Sequence, residues 1–96
     1  MVTELALLTV KRDLSKEFLQ SFKEAEKIIE SSSGYIKHEL QKCVEHENKF
    51  ILLVKWETLE NHTEGFRKSE NYKKWKALLH HYYEPFTEVE HYIQTN

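Results

Sequence analysis

The sequence contains few of the residues and patterns that mark the common types of site. Cys43 is the one cysteine among 96 residues, so neither an internal disulfide nor a cysteine-based metal cage is available. No apolar run approaches about 18 residues, so we expect no membrane span. The chain also has no HExxH, GxGxxG or P-loop pattern. No metal and no cofactor is therefore predicted.

The chain also lacks an excess of positive charge. Lys and Arg number 14 and Asp and Glu number 16, which gives a net charge of -2. A general nucleic-acid binder needs a positive surface, so that class of partner is not expected. The first ten residues carry Glu4 and have no basic region, unlike a secretory signal peptide. Residues 1–96, which are too few for two cores, are predicted to form one cytoplasmic domain.

The first half of the chain has the pattern of a strand, a helix and a strand. Residues 3–11 are short, apolar and bounded by charge, which predicts a buried strand. Ser15 is a candidate N-cap and Gly34 a candidate left-handed residue ending the helix. Residues 35–44 alternate like a strand, with Ile36, His38 and Leu40 on one face. Four apolar residues recur at helical spacing between them: Phe18, Phe22, Ala25 and Ile29.

The second half repeats this alternation in a different order. Residues 50–57 predict a third strand, buried on both sides at its middle. Thr58 and Ser69 are candidate caps of two successive helical segments. Pro85 follows the second of these segments, and residues 86–93 alternate like a fourth strand.

The resulting element order predicts an α+β fold of the ferredoxin-like βαββαβ type. A four-stranded antiparallel sheet would carry both helical segments on one face. An apolar patch on the other face indicates a partner, and a second copy packed sheet to sheet would give a two-fold homodimer. The apolar residues expected on that open face are Ile51 and Leu53, with either Leu5 and Leu7 or Ala6 and Leu8.

The stretch WETLENHTEGFRKSENYKKWKALLHHYYEPFTEVEHY, residues 56–92, resembles the antibiotic biosynthesis monooxygenase (ABM) domain family. The likeness lies in the apolar strand ending in Trp-Glu, the HTEGFRKS helix and the closing VEHY. With the preceding strand and helix it covers nearly the whole chain. The resemblance implies a dimeric α+β barrel. It also implies oxygenase chemistry, since some members oxidise polycyclic aromatic or quinol substrates with dioxygen and no cofactor.

A sister group of that family degrades haem, and the resemblance does not extend to its residues. That group uses an Asn on the first strand and a helical Trp followed ten residues later by a His. The first strand here has no Asn, the helical Trp position resembles Phe66, and Lys76 stands ten residues on.

Two histidines are candidate bases for such chemistry. His62 shares a helical face with Leu59 and Phe66 and should point toward the sheet. Its usual pKa of about 6.5 would suit a proton acceptor near neutral pH. His91, on a strand face, is the second candidate. The competing interpretation of His62 is a core histidine bonded to backbone, and that of His91 is a structural residue or a lining residue without a chemical role. Residues predicted to contact a substrate are Trp56, Phe66, Tyr72, Trp75 and His38.

Two functions therefore stay open. The first is a cofactor-independent monooxygenase acting on a small aromatic or quinol-type substrate in a helix–sheet pocket. The second is a dimer of the same fold that binds a small ligand without catalysis. A cavity of roughly 300 Å³ or more lined by His62 and Trp75 would favour a ligand site, whereas a filled gap would favour core packing.

Overall fold

A computed structural model describes residues 1–85 and 87–96. The element order confirms the predicted βαββαβ arrangement. Phe86, which was predicted to open the last strand, lies outside the described residues. The elements are β1 (Val2–Thr9), α1 (Ser15–Glu30), β2 (Tyr35–Lys42), β3 (Lys49–Trp56), a π-helical segment (Asn61–Phe66), α2 (Glu70–Leu79), a 3₁₀ turn (His80–Tyr82) and β4 (Glu88–Tyr92).

The four strands form one antiparallel sheet in the order β2-β3-β1-β4, so β1 and β3 are central. Leu5 pairs with Leu53 and Leu7 pairs with Ile51 across these two strands. Because side chains alternate along a strand, the even-numbered residues of β1 face the helices and are buried. Of the two alternatives left by the sequence, Leu5 and Leu7 are therefore the pair on the open face.

The core lies between the sheet and the helices. Helix α1 buries Phe18, Phe22, Ala25 and Ile29, the face that its spacing predicts. Helix α2 packs against α1 and buries Trp75 and Leu79. Within the part of the chain that the structure describes, no helix is long and apolar enough to cross a membrane.

Several predicted boundaries and the predicted N-cap of α1 were wrong. Strand β1 ends at Thr9 and β2 at Lys42, each earlier than expected, and β4 covers only Glu88–Tyr92. Helix α1 is preceded by Leu14 and has no side-chain cap. The Ser15 hydroxyl instead donates to the Glu47 carbonyl at 3.3 Å, tying the helix start to the β2–β3 loop.

The two later caps behave as their sequence context predicts. The Ser69 hydroxyl accepts from the Tyr72 backbone N–H at 3.1 Å and begins α2. The Thr58 hydroxyl likewise accepts from the Asn61 N–H at 3.1 Å. The segment that Thr58 precedes is π-helical rather than α-helical, a form that occurs mostly as single turns, frequently at functional sites. It buries both His62 and Phe66.

Gly34 is left-handed as predicted but does not end α1, which ends at Glu30; it lies in the turn before β2, at a position that only glycine fits well. Its φ is +81°, and a Cβ there would lie 2.1 Å from the Asn61 side chain, which accepts two hydrogen bonds from Thr58. We expect Gly34→Ala to lower the free energy of unfolding by about 1–2 kcal/mol from left-handed strain alone. Gly65→Ala is the matched control, since its Cβ would meet nothing closer than 3.7 Å. Equal urea midpoints for the two variants would contradict this prediction.

Candidate functional site

A cavity of about 210 Å³ lies between the sheet and the helical layer. It is smaller than the size expected of a ligand site, but side chains do not fill it. An engineered apolar cavity of about 150 Å³ holds benzene, so this space suits one aromatic ring with small substituents. Its lining includes Glu4, Ala6, Leu52, His62, Phe66, Arg67, Tyr72, Trp75, His80, Tyr83 and Val89.

Four of the predicted site residues line this cavity: His62, Phe66, Tyr72 and Trp75. The Phe66 ring meets Tyr72 at a centroid distance of 5.5 Å and Trp75 at 5.8 Å, both nearly perpendicular. Edge-to-face contacts of this kind are favourable and hold the rings in place. The π-helical segment and α2 together thus supply an aromatic wall.

Trp56 lies behind the cavity rather than in its lining. It is fully buried, and its ring stacks on His62 at 5.5 Å with an interplanar angle of 18°. Its indole N–H donates to Glu4 Oε1 at 3.0 Å. Trp56 therefore holds Glu4 and His62 in place and does not itself face the cavity.

His38 lies elsewhere, in a cleft between α1 and β2. Its Nδ1 is 2.6 Å from the Tyr35 hydroxyl and its Nε2 is 3.4 Å from Glu26. A register irregularity between Tyr35 and Lys37 also leaves Ile36, predicted to share the inner face, 39% exposed. Since β2 is the edge strand on the far side of β3 from β1, His38 does not join the other candidates.

Glu4 is a site residue that the sequence reasoning missed. Its side chain lines the cavity, yet the residue is only 6% exposed. Burial raises the pKa of the Glu4 carboxyl from 4.5 to about 6, against the opposing effects of the Trp56 N–H and the Arg67 charge. The sequence contained a signal for this position, because Glu4 lies two residues from both Val2 and Ala6 and therefore shares the buried face of β1 with them.

His62 contacts both Glu4 and the second candidate histidine, His91. His62 Nδ1 is 2.8 Å from His91 Nε2, and His62 Nε2 is 3.4 Å from Glu4 Oε1. Burial, followed by the charges of Arg67 and His91, lowers the pKa of His62 from 6.5 to about 4. His62 is therefore neutral at pH 7, and its approach to Glu4 is a contact between a carboxyl group and a neutral imidazole.

This electrostatic environment differs from the one that His62 was expected to have. A group with a pKa of about 4 is unprotonated throughout the neutral range, but it accepts a proton only weakly. Glu4, with a pKa of about 6, titrates closer to neutrality. His62 is also only 3% exposed, so its truncation would disturb packing as well as chemistry.

Three further polar residues line the cavity. Arg67 is exposed and follows the π-helical segment, where its backbone N–H donates to the His62 carbonyl at 2.9 Å. Burial lowers the pKa of His80, and the Lys76 charge lowers it further. Burial also raises the pKa of the Tyr83 phenol, which stays protonated and can donate a hydrogen bond. The site thus combines an exposed cation with a neutral phenol.

Glu4, His62 and His91 follow one another in a row and do not converge on a single point. Each outer residue contacts a different nitrogen of the His62 ring. Among residues 1–85 and 87–96, no group of three or more potential ligands is placed to hold a metal ion. The row is suited to passing a proton between neighbouring groups.

Comparisons with known proteins agree with the fold described above. A sequence model described as antibiotic biosynthesis monooxygenase matches residues 1–78. The Bacillus subtilis (strain 168) protein YczJ, described as uncharacterized, is 54% identical over 92 residues, covering 96% of this chain and 97% of that protein.

Two solved structures share the same architecture. A structure of a putative antibiotic biosynthesis monooxygenase from Bordetella bronchiseptica superposes with a TM-score of 0.95 at 23% identity, covering 99% of this chain and 97% of that one. SnoaB, a cofactor-independent oxygenase from Streptomyces nogalater, superposes with a TM-score of 0.85 at 15% identity, covering 99% and 93%. At these identities the likeness shows the fold alone.

Proposed function

Because the chain belongs to the antibiotic biosynthesis monooxygenase family, we propose that it is a cofactor-independent monooxygenase acting on a small aromatic or quinol-type substrate. The observation that carries the proposal is a carboxyl–imidazole pair buried in the wall of an aromatic cavity, Glu4 with His62. Titratable groups with displaced pKa values inside a cleft are typical of active sites.

The chemistry requires little of the protein beyond a base and a dry pocket. A substrate hydroxyl or activated C–H loses a proton to the protein, and the anion passes one electron to dioxygen. The substrate radical and superoxide combine into a carbon-bound peroxide anion, which takes up a proton from solvent to become a hydroperoxide. Loss of water from a carbon that carries hydrogen then leaves a new carbonyl group. One oxygen atom ends in the product and the other in water, and the substrate is the reductant.

Oxygen uptake tests this function and the expected substrate size. A cavity of about 210 Å³ accommodates a single ring, so monocyclic hydroquinones should be consumed faster than tricyclic anthrones at equal concentration. Ala6→Leu, which places a larger side chain in the cavity, should abolish uptake. Ala77→Leu makes the same change on the exposed face of α2 and should leave uptake unaltered. Uptake no faster than autoxidation with every substrate would refute the proposal.

A non-catalytic ligand-binding protein remains the alternative. The observation that favours it is the lowered pKa of His62, about 4, which makes the base predicted from the sequence a weak proton acceptor. Thermal shifts caused by monocyclic phenols, lost in Ala6→Leu, without any oxygen uptake would establish this second function.

We propose further that the protein is a homodimer formed through the open face of the sheet. Leu5, Leu7, Ile51 and Leu53 stand side by side across β1 and β3, and Leu7 is 42% exposed in the single chain. A contiguous apolar patch of this kind favours a partner, and a second copy satisfies it with two-fold symmetry. A cytoplasmic location, without nucleic-acid or membrane partners, belongs to the same proposal and rests on the sequence reasoning.

A further inference from the structure

Building on the proposed function, we propose that Glu4 is the proton acceptor for the substrate hydroxyl and that His62 and His91 carry the proton out of the cavity. The assignment moves the base from the imidazole predicted by the sequence to a carboxylate on the central strand β1. His62 becomes the residue that links this carboxylate to the protein surface. His91 becomes a positioning and relay residue that does not touch the substrate.

The placement of Glu4 is the first support for this assignment. Glu4 and His62 are the two buried polar or charged side chains among the described residues, and both line the cavity. Burying a carboxyl group is costly unless hydrogen bonds compensate it. The Trp56 N–H, at 3.0 Å, supplies one such bond to Oε1. Within residues 1–85 and 87–96 no donor bonds to Oε2, which leaves that oxygen for a ligand hydroxyl.

The continuity of the row is the second support. Glu4 Oε1 lies 3.4 Å from His62 Nε2, and His62 Nδ1 lies 2.8 Å from His91 Nε2. The stack of Trp56 on His62, with its 18° interplanar angle, holds the ring so that its nitrogens face opposite partners. His91 is only partly buried on the edge strand β4, so the row ends where water can reach it.

The proton transfer balances without any other reactant. The substrate hydroxyl gives its proton to the Glu4 carboxylate, and the electron pair of the broken O–H bond stays on the substrate oxygen. Glu4 then donates that proton to His62 Nε2 while His62 Nδ1–H passes its own proton to His91 Nε2. His91 releases a proton to solvent. Glu4 is again a carboxylate. His62 is left as the tautomer with its proton on Nε2 and must return to the Nδ1–H form before the next cycle.

The charges around Glu4 favour this role. His62 faces it from the π-helical segment, Arg67 follows that segment, and His91 is the residue paired with Glu4 across β1 and β4. Tyr83 faces the cavity from the other side and stays protonated. Arg67 lies on the exposed side of the cavity, where its charge favours the anion left by the substrate. A carboxyl with a pKa of about 6 is mostly ionised at neutral pH and still basic enough to accept a proton.

Steady-state oxygen uptake with a monocyclic hydroquinone tests the acceptor. The wild-type kcat/KM should rise with pH through an apparent pKa near 6 and then level off. Glu4→Gln should lower kcat by roughly 10²-fold or more and remove that rise. Glu24→Gln, on the exposed face of α1, is the matched control and should match the wild type. A folded Glu4→Gln variant with wild-type turnover and pH profile would overturn the assignment while leaving the proposed function intact.

The relay has its own test. His91→Ala should slow turnover and increase the solvent deuterium isotope effect, and added imidazole should restore the rate, because a proton transfer then limits turnover. His46→Ala, an exposed loop histidine, is the matched control. His91→Ala with a slowed rate but an unchanged isotope effect and no response to imidazole would mean that His91 is only structural, and would overturn the relay.

A binding probe separates the acceptor from the oxygenase function. Para-nitrophenol is coloured only as the phenolate, so its absorbance reports whether the bound ring is deprotonated. Above pH 6 the ionised Glu4 in the wild type should raise the apparent pKa of the bound phenol, because a carboxylate accepts a hydrogen bond from the neutral phenol and repels the phenolate, and Glu4→Gln should remove this increase. An equal effect in both proteins would overturn the role of Glu4 even if no oxygen is consumed. If the wild type neither shifts the pKa of the probe nor consumes oxygen, both proposals are contradicted.

Discussion

Glu4→Gln should stabilise the protein above pH 6 by about 2 kcal/mol, although it replaces a residue of the proposed site. The pKa of Glu4 rises from 4.5 in water to about 6 in the fold, so the fold holds that proton more tightly than the unfolded chain does. Ionising Glu4 in the fold therefore costs stability at every pH above 6, and this cost disappears below pH 4.5. Gln keeps an oxygen that can accept from the Trp56 N–H.

Urea denaturation at several pH values measures this effect. An increase of about 2 kcal/mol corresponds to a melting temperature higher by roughly 8–16 °C for a domain of this size. Glu24→Gln, at an exposed position, should change neither quantity. A Glu4→Gln variant less stable than the wild type at pH 7 would mean that the carboxylate is a structural acceptor which an amide cannot replace. A variant that is more stable yet inactive would show that the buried carboxylate is kept for function.

The same variant isolates the titration of His62. The pKa of His62 is lowered from 6.5 to about 4, so the unfolded chain takes up that proton first as the pH falls. Stability from this group is present above pH 6.5 and is lost as the pH falls toward 4. In the wild type, protonation of Glu4 increases stability as the pH falls and so opposes this loss; Glu4→Gln removes that contribution. The unfolding free energy of Glu4→Gln should therefore decline on acidification more steeply than that of the wild type.

Ile51→Lys should convert the proposed dimer into a monomer at micromolar concentration. Ile51 pairs with Leu7 in the middle of the open face. A two-fold interface would bury one substituted residue from each subunit. Burying an uncompensated charge costs about 3–5 kcal/mol, so the dissociation constant should increase by at least roughly 10²-fold. In the single chain Ile51 is only partly buried, so the monomer should keep its circular dichroism spectrum.

Sedimentation velocity at several protein concentrations measures the assembly. Val44→Lys is the matched control, because Val44 is 94% exposed in the loop after β2 and away from the open face. It should sediment like the wild type. A wild-type protein that is monomeric at micromolar concentration would contradict the proposed interface, and so would an Ile51→Lys variant that remains dimeric.

The sequence alone determined those features that depend on neighbouring residues. Alternation placed Ile51 and Leu53 on the open face, and helical spacing placed Phe18 and Phe22 in the core, because side-chain direction follows from the local backbone. The same local reasoning put His62 on a buried face. It could also have found Glu4, whose position in the alternation of β1 marks it as inward-facing.

Which of these inward-facing residues come into contact depends on the strand order of the folded chain. The strand order brings Glu4 beside Trp56, 52 residues away, and His62 beside His91, 29 residues away, while it keeps His38 on the far edge. The pKa values follow from the same arrangement, since burial and neighbouring charge come from residues distant in the chain. A neutral His62 and a Glu4 that titrates near pH 6 are therefore properties of the folded contacts, which no local pattern encodes.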